Sequence, residues 1–108
     1  MHPILPHVLS AFLVALTAPS FRSGNELYST CHGDVIHANA CAAYIMGVAD
    51  ALEGMRVGNG LPPCSPSGVN GQQIRDVVVQ FLDKNPARRN EGAAGLVIEA
   101  MVLAWSCK

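Results

Sequence analysis

The hydrophobic pattern of residues 64–107 is that of a helical hairpin. Its first arm carries large apolar residues at positions i, i+3, i+4, i+7 and i+8, namely Ile74, Val77, Val78, Phe81 and Leu82. This spacing places all of them on one face of a helix. Asn70 and Gln73 have the spacing of a capping box at its start, and Asn85-Pro86 indicates its end.

The second arm, residues 91–107, is apolar around most of its circumference and is interrupted by Glu99. A helix of this kind lies in the centre of a core, at a subunit interface or in a membrane. The segment is shorter than the roughly 20 residues needed to cross the hydrocarbon. It also carries a carboxylate halfway along, so we expect a core or interface position.

Two further helices are predicted upstream. Ser23 and Glu26 have capping-box spacing and open a short helix that runs to Cys31. We predict that Asn39 caps a long helix over residues 40–56. The apolar face of this long helix consists of Cys41, Tyr44, Ile45, Val48, Leu52 and Met55.

The opposite side of the long helix carries small residues, namely Ala43, Gly47, Ala51 and Gly54. A glycine inside a helix costs about 1 kcal/mol relative to alanine. We therefore expect the backbone of a second helix or of a second subunit to approach this face closely. Gly54 has an alternative explanation, because it could begin the end of the helix.

Residues 54–68 are rich in glycine, proline and asparagine and connect the long helix to the hairpin. Pro62-Pro63 stiffens this connection and Cys64 tethers it. Long ordered loops in small domains are often functional, and disorder is the alternative. We predict that this loop binds a partner, because a rigid loop loses little entropy on association.

The first 20 residues are predicted to be a secretory signal peptide. All seven Lys and Arg and all eight Asp and Glu follow position 21, and residues 8–18 form an apolar run. Ala18 and Ser20 supply a cleavage site of the expected type. The absence of an early Lys or Arg, together with Pro3 and Pro6, leaves an uncleaved anchor or a misread start as alternatives.

The remaining residues 21–108 are enough for one small domain. The formal net charge is −1 and no basic run is present, so neither nucleic acid nor an anionic membrane surface is indicated as a partner. Half of the residues are hydrophobic, which permits a core. The predicted fold is all-α, a small disulfide-bonded bundle of four main helices.

Four cysteines in a short exported chain indicate two disulfides, and three pairings are possible. Cys31 ends the first helix and Cys41 opens the second, so one connecting loop can join them. Cys64 and Cys107 lie at the two free ends of the hairpin, which meet if its arms are antiparallel. We therefore predict the disulfides Cys31–Cys41 and Cys64–Cys107.

Metal binding and catalysis are less well supported. Zinc could be bound by four residues of suitable type, namely Cys31, His32, His37 and Cys41. Their spacing is not that of a common zinc motif and an oxidising compartment favours disulfides, so we expect no metal and no cofactor. Each cysteine has an expected partner, and Ser29 and Ser65 lack a recognisable His and Asp arrangement. We predict structural roles for Asp50 and Asp76 and no enzymatic activity.

The chain resembles the Rap/Tai family of immunity proteins in residues 41–51, 64–78, 81–86 and 104–107 and at Arg89. The shared motifs are Tyr-x-x-Gly-Val-x-Asp, with Tyr44, Gly47 and Asp50, and Gln-x-x-Asp-Val-Val, with Gln73 and Asp76. The cysteines occur in the same order. The chain departs from the family pattern at Ala43, Ser65, Trp105 and Ser106.

The resemblance implies an exported, all-helical, disulfide-bonded protein, often a homodimer, that occludes the active site of a peptidoglycan amidase. Such amidases are effectors of the bacterial type VI secretion system. We therefore predict a periplasmic immunity protein that contacts its effector through Arg56, Asn59, Leu61 and Pro62. The alternative is a small periplasmic stress protein or chaperone without a dedicated effector.

Overall fold

The computed structural model describes residues 20–107, and within them the fold is the predicted bundle of four α-helices. The predicted signal peptide lies outside this range apart from Ser20. The elements, in chain order, are α1 (Gly24–Cys31), α2 (Val35–Gly58), α3 (Gly71–Lys84), a 3-10 turn (Pro86–Arg88) and α4 (Ala93–Trp105).

Two of the helix starts were predicted correctly and one was wrong. Capping boxes are present at Ser23 before α1 and at Asn70 before α3. The N-cap of α2 is Asp34, whose carboxylate accepts a hydrogen bond from the backbone N–H of His37, and Asn39 lies inside the helix. The first residues of α2 carry no inward-facing pattern that could have located this start, because Val35 is 75% exposed.

The core lies where all four helices meet, and α4 is its central element. The buried residues of α4 are Ala93, Leu96, Val97, Ala100 and Met101. They pack with residues of the other elements, namely Leu27, Cys31, Cys41, Ile45, Ala49, Cys64, Val78 and Leu82. The nearly all-round apolar composition of α4 therefore reflects a place in the core. Met55, predicted to belong to the core face of α2, is 67% exposed because it lies beyond the end of this cluster.

Both disulfides have the pairing expected from the sequence, Cys31–Cys41 and Cys64–Cys107. Cys41 does not open α2, however, because that helix already begins at Val35. The first bond therefore joins the end of α1 to the second turn of α2. The second bond attaches the segment before α3 to the end of α4 and closes the hairpin.

The start of α1 is held against the segment that precedes α4 by backbone contacts. The N–H of Gly24 donates to the carbonyl of Glu91 at 2.8 Å, and the N–H of Asn25 donates to that of Arg89 at 2.6 Å. The guanidinium of Arg89 also lies 3.5 Å from the ring centre of Tyr28, which is a cation–π contact. These contacts dock α1 on the hairpin at the connection between its two arms.

Glu99, the charged residue within apolar α4, has a specific partner. Arg88 donates hydrogen bonds to the carboxylates of both Glu99 and Glu91. Hydrogen bonding to Arg88 lowers the pKa of each carboxyl group, and this effect outweighs partial desolvation, which acts in the opposite direction. The network joins the 3-10 turn to the first half of α4.

The small-residue face of α2 is exposed in the described part of the molecule. Ala43, Gly47, Ala51 and Gly54 are all exposed, and a Cβ added at Gly47 or Gly54 would meet no atom within 4 Å. The prediction that a second helix packs here is therefore wrong for residues 20–107, because α3 and α4 occupy the opposite side. Packing by a second subunit stays a prediction.

Exposed apolar side chains are concentrated on α2. Of the large hydrophobic residues of the described segment that are exposed, those on α2 are Val35, Ile36, Met46, Met55 and Val57. Among residues 20–107, α2 is also the one helix long and apolar enough to cross a membrane by length and composition. Its inner face contributes Cys41, Ile45 and Ala49 to the core, so only its outer side is without cover.

Candidate functional site

The loop of residues 59–70 connects α2 to α3 and is shorter than the sequence predicted, because α2 continues to Gly58. Its first turn is a Schellman motif. The N–H of Gly60 donates to the carbonyl of Val57 and the N–H of Leu61 donates to that of Arg56. This reversal requires a positive φ, which is 77° at Gly60 and is readily adopted by glycine.

Side chains of α2 fix the first half of the loop. The Nε of Arg56 donates to the carbonyl of Pro62 at 2.9 Å. The side-chain amide of Asn59 donates to the carbonyl of Met55 at 2.7 Å and so caps the end of the helix. The path of the loop from Gly60 to Pro62 is therefore set by contacts with the helix that precedes it.

Glu53, one turn earlier on α2, binds the second half of the loop. Its carboxylate accepts hydrogen bonds from the backbone N–H of Cys64 at 2.7 Å, from the N–H of Ser65 at 2.9 Å and from the Ser65 hydroxyl. The three donors occupy both carboxylate oxygens. Since Cys64 is also bonded to Cys107, this point of the loop is attached to α2 and to α4 at once.

The protonation of Glu53 follows from these contacts. Desolvation raises the pKa of the carboxyl group, but the hydrogen bonds from Ser65 and Cys64 together lower it below its ordinary value of 4.5. A lowered pKa in the folded state means that the stabilising contribution is fully present above about pH 4.5. It is lost as the pH falls through the folded-state pKa. The carboxylate is therefore charged at neutral pH.

The four residues predicted to bind a partner fall into two groups. Leu61 is 46% exposed and Pro62 is also exposed, so both present apolar surface at the tip of the loop. Arg56 and Asn59 make the hydrogen bonds described above and act within the chain. A binding role for the four residues stays a prediction, and the arrangement favours Leu61 and Pro62 as direct contacts.

The motif residues of α2 are spread around that helix. Tyr44 is half-buried against the core with its hydroxyl 3.4 Å from the hydroxyl of Ser20, whereas Gly47 and Asp50 are exposed. On α3, Gln73 completes the capping box and Asp76 accepts a hydrogen bond from Gln72 at 2.8 Å. Gln73 and Asp76 thus have local roles in helix structure.

The alternative zinc site is not formed in the described part of the chain. Cys31 and Cys41 are joined in a disulfide, so neither sulfur is a thiolate ligand. The imidazole of His32 lies 3.2 Å from the carboxylate of Asp83, and that of His37 lies 2.7 Å from Asp34. Within residues 20–107 no group of three or more His, Cys, Asp or Glu residues is arranged to bind a metal ion.

Glu53 was not singled out by the sequence, although its side chain accepts three hydrogen bonds from the loop. Its partners are two backbone amides and a serine hydroxyl, 11 and 12 residues further along the chain. Because every residue except proline has a backbone N–H, residue type does not indicate which N–H a side chain binds. The available signal was one of two carboxylates on α2, Asp50 and Glu53, and a carboxylate on a helix by itself predicts only a solvent-facing position.

These features define a small, disulfide-stabilised helical protein of the kind found in oxidising compartments. The family model of the Rap1a immunity proteins matches residues 23–107. The chain therefore belongs to this family. The resemblance inferred from the motifs is thereby confirmed. No curated protein and no solved structure gives a significant match to this chain.

Proposed function

We propose that this protein is a periplasmic immunity protein that binds and inhibits a peptidoglycan amidase delivered by a type VI secretion system. Membership of the Rap1a immunity family over residues 23–107 is the observation that carries the proposal. The two disulfides agree with export to an oxidising compartment. Inhibition would be stoichiometric, with no chemistry contributed by this chain.

In this proposal the 59–70 loop makes the central contact with the amidase. The loop is hydrogen-bonded to α2 at Pro62 and Cys64, and Cys64 also links it to the end of α4. Its ordering entropy is therefore lost on folding and not on binding. Its tip offers Leu61 and two exposed prolines, which are compact and apolar. Such a tip suits insertion into a concave cleft, where a buried anchor residue contributes most of the binding energy.

Leu61→Ala is expected to weaken binding to the amidase by at least tenfold, because a central apolar anchor contributes more than about 1.4 kcal/mol. The measurement is isothermal titration calorimetry with a type VI amidase, accompanied by inhibition of its hydrolysis of peptidoglycan. The wild-type protein should inhibit at a one-to-one ratio of protomers.

Ile36→Ala is the matched control for this experiment, since it also removes an exposed aliphatic side chain. Ile36 is 77% exposed and lies at the other end of α2, about 33 Å away along the helix. Its substitution should leave affinity unchanged. Equal affinities of Leu61→Ala and the wild type would place the interface elsewhere, and indiscriminate binding of unfolded proteins would instead favour a chaperone.

We also propose that the protein is a homodimer in which the exposed face of α2 packs against a second copy. The proposal is supported by Gly47 and Gly54, which leave room for close helix approach, and by the exposed methionines Met46 and Met55 beside them. Two small residues on one face allow the backbones of packed helices to come near each other. Burial of the methionines would add apolar contact area.

Gly47→Leu is expected to weaken self-association by at least tenfold without unfolding the protomer. Nothing lies within 4 Å of an added Cβ in the described protomer, so we expect the protomer to accommodate the larger side chain and a packed partner to collide with it. Sedimentation equilibrium measures the effect, and Gly95→Leu, at an equally open glycine of α4, is the control. A Gly47→Leu dimer as stable as the wild type would exclude this interface.

A further inference from the structure

We propose that Glu53 is a positioning residue that sets the conformation of the 59–70 loop and thereby the affinity for the amidase. The proposal deepens the proposed function and depends on it for its second part. It rests on the three hydrogen bonds that the Glu53 carboxylate accepts from Cys64 and Ser65. Through these bonds Glu53 joins α2 to the backbone of the loop at Cys64 and Ser65.

The geometry gives Glu53 control over where the tip lies. Arg56 and the Schellman turn attach residues 60–62 to α2, and Glu53 attaches Cys64 and Ser65 to the same helix. The two anchor residues are three positions apart on one helix and therefore share a face. Leu61 and Pro62 lie at the first attachment and Pro63 lies between the two, so the position of the tip is fixed relative to α2.

The disulfide cannot perform this function alone. The Cys64–Cys107 bond joins the loop to Cys107, which lies two residues beyond Trp105, the last residue of α4. A disulfide between two side chains fixes a distance but leaves rotation about several single bonds. The carboxylate instead fixes the orientation of two successive backbone N–H groups against a helix.

A carboxylate is the group that these donors require. Two oxygens with several lone pairs can accept all three hydrogen bonds, whereas a glutamine side chain has one acceptor oxygen and an NH₂ donor. In Glu53→Gln, the NH₂ group would face an N–H or hydroxyl donor. The substitution keeps the size of the side chain but no longer provides an acceptor for every donor, so its effect reports on the hydrogen bonds alone.

Glu53→Gln is expected to accelerate hydrogen exchange at the backbone amides of Cys64 and Ser65 by at least tenfold in the free protein. Exchange at core amides of α3 and α4, such as those of Val78 and Val97, should stay unchanged, which a general loss of stability would not allow. Asp50→Asn is the matched control, because it removes one negative charge from an exposed position of the same helix.

The second measurement is affinity for the amidase, which Glu53→Gln should weaken by about tenfold while Asp50→Asn leaves it unchanged. Unchanged hydrogen exchange at Cys64 and Ser65 would overturn the proposal that Glu53 positions the loop. Faster exchange with unchanged affinity would overturn its role in binding. If the wild-type protein itself bound no type VI amidase, the proposed function would fail, and the exchange measurement would still decide whether Glu53 positions the loop.

Discussion

Replacing both Cys64 and Cys107 with alanine is expected to lower the free energy of unfolding by about 4 kcal/mol. The disulfide links residues 43 positions apart, so its loss returns a large loop entropy to the unfolded chain. A domain of this size has few other sources of stability of that magnitude. Urea denaturation at fixed protein concentration measures the change.

The other disulfide provides the internal comparison. Cys31 and Cys41 are 10 positions apart, and the same reasoning gives about 3 kcal/mol for their replacement by alanine. The Cys64 pair should therefore be the more damaging of the two. If the Cys31 pair were clearly more damaging, native-state contacts and not chain entropy would dominate the effect.

Loss of the Cys64–Cys107 bond should lower the stability of the whole protein without changing the structure of the loop in the folded state. In the folded fraction of the double variant, Glu53 still accepts its hydrogen bonds from Cys64 N–H and Ser65, since these do not involve the sulfur atom. Amide exchange at Ser65 in that variant should therefore increase only in proportion to global unfolding.

Gly24→Ala is expected to lower the free energy of unfolding by about 2 to 3 kcal/mol, in the upper range of overpacking effects. A Cβ at Gly24 would lie 2.5 Å from Cδ1 of Leu96, 2.7 Å from the carbonyl oxygen of Arg89 and 3.0 Å from its Cα. Two of these atoms belong to the backbone and cannot move aside cheaply. The hydrogen bond from Gly24 to Glu91 would be strained as well.

Gly95→Ala is the control for this substitution, since it makes the same chemical change inside a helix. Nothing lies within 4 Å of a Cβ at Gly95, so the variant should gain up to about 1 kcal/mol from helix propensity. Thermal and urea denaturation of both variants test the contrast. A Gly24→Ala protein as stable as the wild type would mean that α1 can shift away from the hairpin without loss.

The helix starts show how far local sequence signals reach. The capping boxes at Ser23 and Asn70 were readable because each is complete within four residues. The start of α2 was misplaced because Asp34 and Asn39 are both suitable N-caps and Val35, Ile36 and His37 between them are exposed. With no fully buried side chain there, the hydrophobic pattern is compatible with either cap.

The structure of the 59–70 loop was predicted in part from the sequence, and its role in binding stays a proposal. A loop rich in glycine and proline and tethered by a cysteine can be recognised from composition, and so can an exposed Leu61 at its tip. The hydrogen bonds that Glu53 and Arg56 make to the loop could not be recognised, because their partners are backbone N–H and carbonyl groups. The end of α2 at Gly58 similarly depends on a Schellman turn that includes Leu61.

The sequence alone determined the helical period, the two capping boxes, the family and the cysteine pairing, because each depends on residue type and spacing along the chain. Tertiary structure decided which faces are covered, leaving the small-residue face of α2 open and placing α4 in the centre. It also decided how the loop is held. These outcomes depend on contacts between distant segments and on backbone donors, which residue identity does not encode.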